Sequence, residues 1–184
     1  MANKSLIKFN NIKLFINLYL NENKSIPSEV MEAFTNANIA IKSTKFAECE
    51  MVIVVNKNDK KKVEKIISEF GRFNITELKS SQQFPMINDI FESGKRYCNS
   101  DDYLCYINSD INLQYWFFDF VVDSLLIEPI DAGLVINRKD IVSDKKNVFK
   151  KNSNSESYYH PGLDCMVFPF KILNKMSFGS CTIG

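Results

Sequence analysis

Residues 103–113 read YLCYINSDINL, and the rest of the chain is read outward from them. Positions 103–107 form an almost unbroken apolar run. A strand that lies between two helix layers has no face turned to water, so it carries this pattern rather than strict alternation. The run turns polar abruptly at Asn108, Ser109 and Asp110. In open α/β sheets ligands gather beyond the carboxyl ends of the strands, which makes a carboxylate at that position a binding candidate. Asn112 is placed to cap a following helix.

Toward the amino end, residues 12–20, IKLFINLYL, read as an opening strand. A polar turn over 21–25 and a short helix follow, with Ser25 or Ser28 as its cap and Pro27 in its first turn. Val30, Ala33, Phe34 and Ala37 are its expected buried face. Residues 51–55, MVIVV, read as a second strand. Val63, Ile66, Ile67 and Phe70 then recur at helical spacing, and Gly71 is placed to end that helix. Lys60, Lys61 and Lys62 in its first turn read as a solvated face rather than a phosphate grip. Residues 74–78 form a short strand candidate. Pro85 opens a helix burying Met86, Ile87, Ile90 and Phe91, and Gly94 ends it.

Toward the carboxyl end, Leu113, Trp116, Phe117, Phe120, Val121 and Leu125 make a stripe that predicts a helix with this face in the core. Residues 132–137 read as a further strand. Residues 138–159 are polar, carry Lys145, Lys146, Lys150 and Lys151, and are expected to be a long surface loop. The sequence HPGLD, residues 160–164, then leads into the apolar run 165–170. Asp101 and Asp102 precede the central strand at its amino end and read as solvated. Strands alternating with helices predict a single α/β domain over residues 1–184, with a mainly parallel central sheet flanked by helices.

Composition narrows the function classes. The 184 residues suffice for a substantial core, and a net charge of +1 gives no electrostatic case for nucleic acid or an acidic membrane. The cysteines are Cys49, Cys98, Cys105, Cys165 and Cys181. They form no CxxC pair and are odd in number, which argues against a disulfide framework or a zinc site and for a reducing, cytoplasmic setting. Cys105 and Cys165 read as strand-core residues. The first residues lack the apolar core of a signal peptide. Residues 113–127 are too short to span a bilayer and contain Asp119 and Asp123, so no transmembrane segment is expected. Neither GxGxxG nor a Walker loop is present.

The chemistry-bearing constellations are few. Asp110 can supply a carboxylate ligand to a hard cation such as Mn²⁺ or Mg²⁺, which is held by one or two carboxylates plus phosphate oxygens. From spacing alone, a helix-capping role stands level with it. Asn108 can hydrogen-bond a ribose or sugar hydroxyl. In HPGLD, Gly162 permits a tight turn, and Asp164 enters an apolar strand at a place like that of Asp110. Asp164 is the candidate for substrate contact or base catalysis, with a turn-forming Asp as the alternative. His160, the sole histidine, joins the candidate binding set, with an ordinary polar loop residue as the alternative.

YINSDINL resembles the strand-ending DxD-type segment of glycosyltransferases with the A-type fold, in the NSDI form of family-2-like members. Residues 12–20 with SIPSEVMEAF look like the opening strand and helix of these enzymes, and HPGLDCMVFPFKIL looks like their later GxDxxxF segment. The resemblance implies a Rossmann-like nucleotide-diphosphosugar transferase fold. It also implies transfer of a sugar from a nucleotide-diphosphosugar donor to an acceptor hydroxyl on a glycan, protein or lipid, with Mn²⁺ or Mg²⁺ as cofactor. Asp110 then matches the metal-contacting carboxylate, Asn108 the first motif position, and Asp164 the catalytic acidic residue near the transferred sugar or acceptor. Asn17 and Asn56 fall at nucleotide-contacting positions of the first and second strands. There are two departures. Asn108 replaces the first carboxylate of DxD, and the chain stops soon after a strand and helix that lead into more protein in such enzymes, so a C-terminally truncated fragment or a reduced relative is expected. A non-catalytic nucleotide-sugar-binding module and a nucleotidyltransferase are the rival readings.

Overall fold

The computed structural model of the chain describes residues 9–79, 85–127, 133–141, 157–159 and 164–176. Its main sheet is built from β1 (Phe9–Leu18), β2 (Ala47–Val55), β3 (Asn74–Glu77), β4 (Tyr103–Ile107), β5 (Leu134–Ile136) and β8 (Cys165–Pro169). The strand order is β3-β2-β1-β4-β8-β5. β3, β2, β1 and β4 run parallel to one another, whereas β8 runs antiparallel to both β4 and β5. The quoted stretch thus supplies an interior strand, as its apolar run requires, and all five residues of β4 are buried.

Helices α1 (Ser28–Ser43), α2 (Lys60–Ile67), α3 (Ile87–Gly94) and α4 (Phe117–Ile127) link these strands. Alternating strand residues feed two cores. Ile12, Leu14, Ile16 and Leu18 of β1 join Met51, Ile53 and Val55 of β2 and the buried faces of α1, α2 and α4. Phe15, Val52, Val54, Leu104, Tyr106 and Phe168 face the other way, against Ile90 and Phe91 of α3. This two-sided burial explains why these strands read as continuous apolar runs. Gly71 ends the segment after α2 with φ 137°, a conformation glycine adopts without a Cβ clash.

Several expectations change. The first helix has 16 residues rather than being short, and no side chain caps it. Ser25 instead closes the preceding turn, its N–H and Oγ both 3.0 Å from Asn21 Oδ1. Asn112 caps nothing either. The helix after β4 starts only at Phe117, and Asn112 Oδ1 accepts a 2.6 Å bond from Asn36 Nδ2. Of the expected stripe, Leu113, Phe117, Val121 and Leu125 are buried, while Trp116 and Phe120 are close to half exposed. Phe118 and Val122 take their places in the core, so the buried face is rotated from the one read in the sequence.

Asp102 is buried rather than solvated. Its carboxylate accepts the Asn99 N–H at 2.8 Å and lies 3.9 Å from Lys13 Nζ, a lysine that is itself buried. Asp101 is exposed as expected. The expected loop over 138–159 begins and ends in a two-stranded antiparallel ribbon, β6 (Lys139–Ile141) with β7 (Ser157–Tyr159). Lys145, Lys146, Lys150 and Lys151 lie outside the described residues. No helix among the described residues is long and apolar enough to cross a membrane.

Candidate functional site

The polar residues that follow β4 meet those that precede β8. Because β8 is antiparallel, its amino end lies beside the carboxyl end of β4, with Ile107 paired to Cys165. The pairing continues one step past the sheet, where Asn108 N–H donates to Asp164 C=O at 3.1 Å. Their side chains also meet, Asn108 Nδ2 donating to Asp164 Oδ1 at 3.0 Å. Tyr106, two residues earlier on the same strand face, donates its Oη–H to Asn108 Oδ1 at 2.8 Å. This chain of bonds fixes the amide orientation, since a carboxylate only accepts and the amide NH₂ must face it.

Asp164 is 3% exposed, and its Oδ2 is buried with no hydrogen-bond partner among the described residues. An unsatisfied buried carboxylate oxygen is costly, so this atom is a natural acceptor for a group from outside the chain. Asp110 is more open. Arg138 reaches both carboxylates: its Nη1 lies 3.6 Å from Asp164 Oδ1 and 3.8 Å from Asp110 Oδ2. These are ion-pair distances, longer than hydrogen bonds. Burial, then the negative charges of Asp110 and Asp164, pushes the Tyr106 phenol well above its usual range. Tyr19, just past β1, is also pushed up, by burial, then Glu29, then Asp110. Tyr106 therefore stays a neutral donor, as its bond to Asn108 requires.

Asn108, Asp110 and Asp164 thus come together. Asn17 lies on β1, buried, with Nδ2 donating to Val54 C=O at 2.9 Å, so its amide ties the first two strands together. Asn56 follows β2, and its Oδ1 is buried without a partner among the described residues. His160 lies outside the described residues. Sequence reading missed Arg138, which it placed at the start of a surface loop, and Tyr106, which it counted only as core. A sequence signal for Arg138 existed: it stands just beyond a strand parallel to β4, at the sheet end where ligands gather.

Oxygen ligands from Asp110 and Asp164 suit a hard divalent cation, and a positive group already lies between them. No cluster of three or more His, Cys, Asp or Glu occurs among the described residues, so such an ion would draw its remaining ligands from substrate and water.

No family model matches the chain, and no curated protein matches it significantly. Solved structures do. The 4-diphosphocytidyl-2C-methyl-D-erythritol synthase from Anaerococcus prevotii DSM 20548 is similar over 91% of this chain and 74% of that one, at 12% identity and a TM-score of 0.54. S. aureus TarS 1–349 is similar over 71% of this chain and 36% of that one, at 12% identity and a TM-score of 0.48. Its complex with UDP-GlcNAc gives 13% identity and a TM-score of 0.49, over 71% of this chain and 34% of that one. The chain thus spans about a third of the length of TarS 1–349. The fold is the nucleotide-diphosphosugar transferase-like one, shared with nucleotidyltransferases.

Proposed function

We propose that the chain binds a nucleotide-diphosphosugar at the carboxyl end of β4 and transfers the sugar to an acceptor hydroxyl. The observation that carries this reading is the buried Asp164 carboxylate. One oxygen is held by Asn108, and the other has no partner among the described residues. A carboxylate so oriented accepts a hydrogen bond from a sugar or acceptor hydroxyl and can take its proton as the hydroxyl attacks. Asn108, fixed by Tyr106, keeps Asp164 from rotating. The unsatisfied Asn56 Oδ1 supports a donor contact at the end of β2, and Asn17 holds the two strands in register beneath it. His160 belongs to the same proposed binding set by its place in HPGLD.

Asp110, with Asp164 beside it, would hold Mn²⁺ or Mg²⁺. When bound, such an ion offsets charge on the leaving diphosphate as a Lewis acid. The residues of the chain hold the carboxylates in place and bury the reacting end of Asp164. A nucleotidyltransferase is the second reading, favoured by the similarity that covers most of both chains.

The test is a titration of the protein against a panel of UDP- and GDP-sugars and against nucleoside triphosphates, with Mn²⁺ present or chelated. Binding of one or more nucleotide sugars, weakened at least tenfold in a folded Asp110→Asn protein, is the expected result. Preference for a nucleoside triphosphate over every nucleotide sugar moves the assignment to the nucleotidyltransferase. Binding without any turnover, either donor hydrolysis or transfer, leaves a non-catalytic binding module.

A further inference from the structure

Arg138 raises a question that the function above does not answer: what a guanidinium does between two carboxylates that would hold a metal. Asp110 and Asp164 follow and precede different strands, and one nitrogen of Arg138 lies within 3.8 Å of an oxygen from each. Without a positive group there, two carboxylates would be held close together at the end of the sheet, one of them almost fully buried. Such carboxylates repel each other, and a cation between them offsets that repulsion. The arginine therefore does in the free protein what a divalent ion does in a loaded one.

We propose that Arg138 is the resident cation of this site and competes with the divalent ion for Asp110 and Asp164. Arginine stays charged at every accessible pH, so it cannot make way by losing a proton. It has to turn away from the two carboxylates. Neither contact is as short as a hydrogen bond, and the side chain is about one quarter exposed. A divalent ion brings more charge and accepts several oxygens at once, but its entry places like charges side by side until the guanidinium turns away. The ion alone thus binds weakly. A diphosphate reverses the balance. It supplies further oxygen ligands to the ion and gives the displaced guanidinium a fork-shaped partner. Arg138 in this way makes metal binding depend on donor, and becomes a positioning residue for the diphosphate once the donor is present. The second half rests on the nucleotide-diphosphosugar reading; the competition itself does not.

The experiment uses Mn²⁺ alone on the full chain, with free Mn²⁺ followed by its electron paramagnetic resonance signal. Arg138→Ala is expected to bind Mn²⁺ at least tenfold more tightly than the unmodified protein, and Arg138→Lys, which keeps the charge, to stay within about threefold of it. Adding Asp110→Asn to Arg138→Ala abolishes the gain. Equal or weaker Mn²⁺ binding by a folded Arg138→Ala protein overturns the proposal. If that variant melts below the assay temperature, Arg138→Gln replaces it, with the same expectation and the same refuting result. UDP is then added as a diphosphate probe. It should tighten Mn²⁺ binding at least tenfold in the unmodified protein and markedly less in the variant. If UDP and nucleotide sugars fail to bind to either protein, the functional reading is lost, while the Mn²⁺ comparison still judges Arg138.

Discussion

Asn108 shows how one atom type decides a motif. By its resemblance to DxD-type segments it would take the place of their first carboxylate, and its Nδ2 donates to Asp164 while its Oδ1 accepts from Tyr106. A carboxylate at this position would have no proton to offer Asp164. Asn108→Asp should therefore lower stability by ~1–3 kcal/mol at neutral pH, the usual cost of setting a buried polar group against a partner it cannot bond. Denaturant unfolding measures this, and a variant as stable as its parent would show that the bond contributes nothing. The cysteines give a second check at this scale. Burial, then Asp119, pushes the Cys49 thiol up to about 12, and burial, then Asp102, does the same for Cys98. The raised values favour the neutral thiol in the fold. Their contribution to stability is complete below the ordinary thiol value of 9.0 and is lost as pH rises toward about 12. At pH 8 each carries about a thousandfold less thiolate than a free cysteine. Alkylation by iodoacetamide, resolved by peptide mass spectrometry, should be correspondingly slow at both; labelling at the free-thiol rate would refute the assigned burial.

At the scale of elements, α3 and α4 differ in how tightly they are set. α3 lies so close to β1 that a Cβ at Gly94 would sit against the Phe15 ring, nearer than real Cβ atoms approach. That ring cannot yield easily, being fully buried and packed edge-on against Phe91 at 5.5 Å. Gly94→Ala should lose ~1–3 kcal/mol through overpacking, read as a lower denaturation midpoint with an unchanged slope. No loss would mean that α3 can shift. α4 is anchored differently: Asp119 Oδ1 accepts from Thr44 Oγ1 at 2.8 Å and from Lys45 N–H at 3.0 Å, tying its first turn to the segment between α1 and β2. With this contact in place Phe118 faces inward, while Trp116, just before the helix, is close to half exposed. Periodicity shows that a helix exists but is nearly blind to a rotation of one residue when both candidate faces are aromatic.

Across the whole molecule, what could be read in the sequence was what local pattern encodes. The runs of β1, β2 and β4, the helices between them and the polar break after Ile107 all follow from burial on two sides. The pairing of Asn108 with Asp164 depends on β8 entering the sheet antiparallel beside β4, and no local pattern carries strand direction. Asp102 was misread because its partner, Lys13, is close in space but far along the chain. The strand order has a further consequence, for the time course of folding. In the sheet β5 borders only β8, although it is made before it. The parallel half of the sheet can assemble as soon as β4 exists, but β5 has no strand to join until the chain has passed residue 169, and until then the buried backbone of β4 is an open edge. Closing that edge brings together segments 56 residues apart, Asn108 and Asp164. Such long-range closure is entropically slow. The contact of Asn108 with Asp164 is therefore completed by the strand that ends the sheet's assembly, and a nascent chain does not carry that contact before it carries a finished sheet.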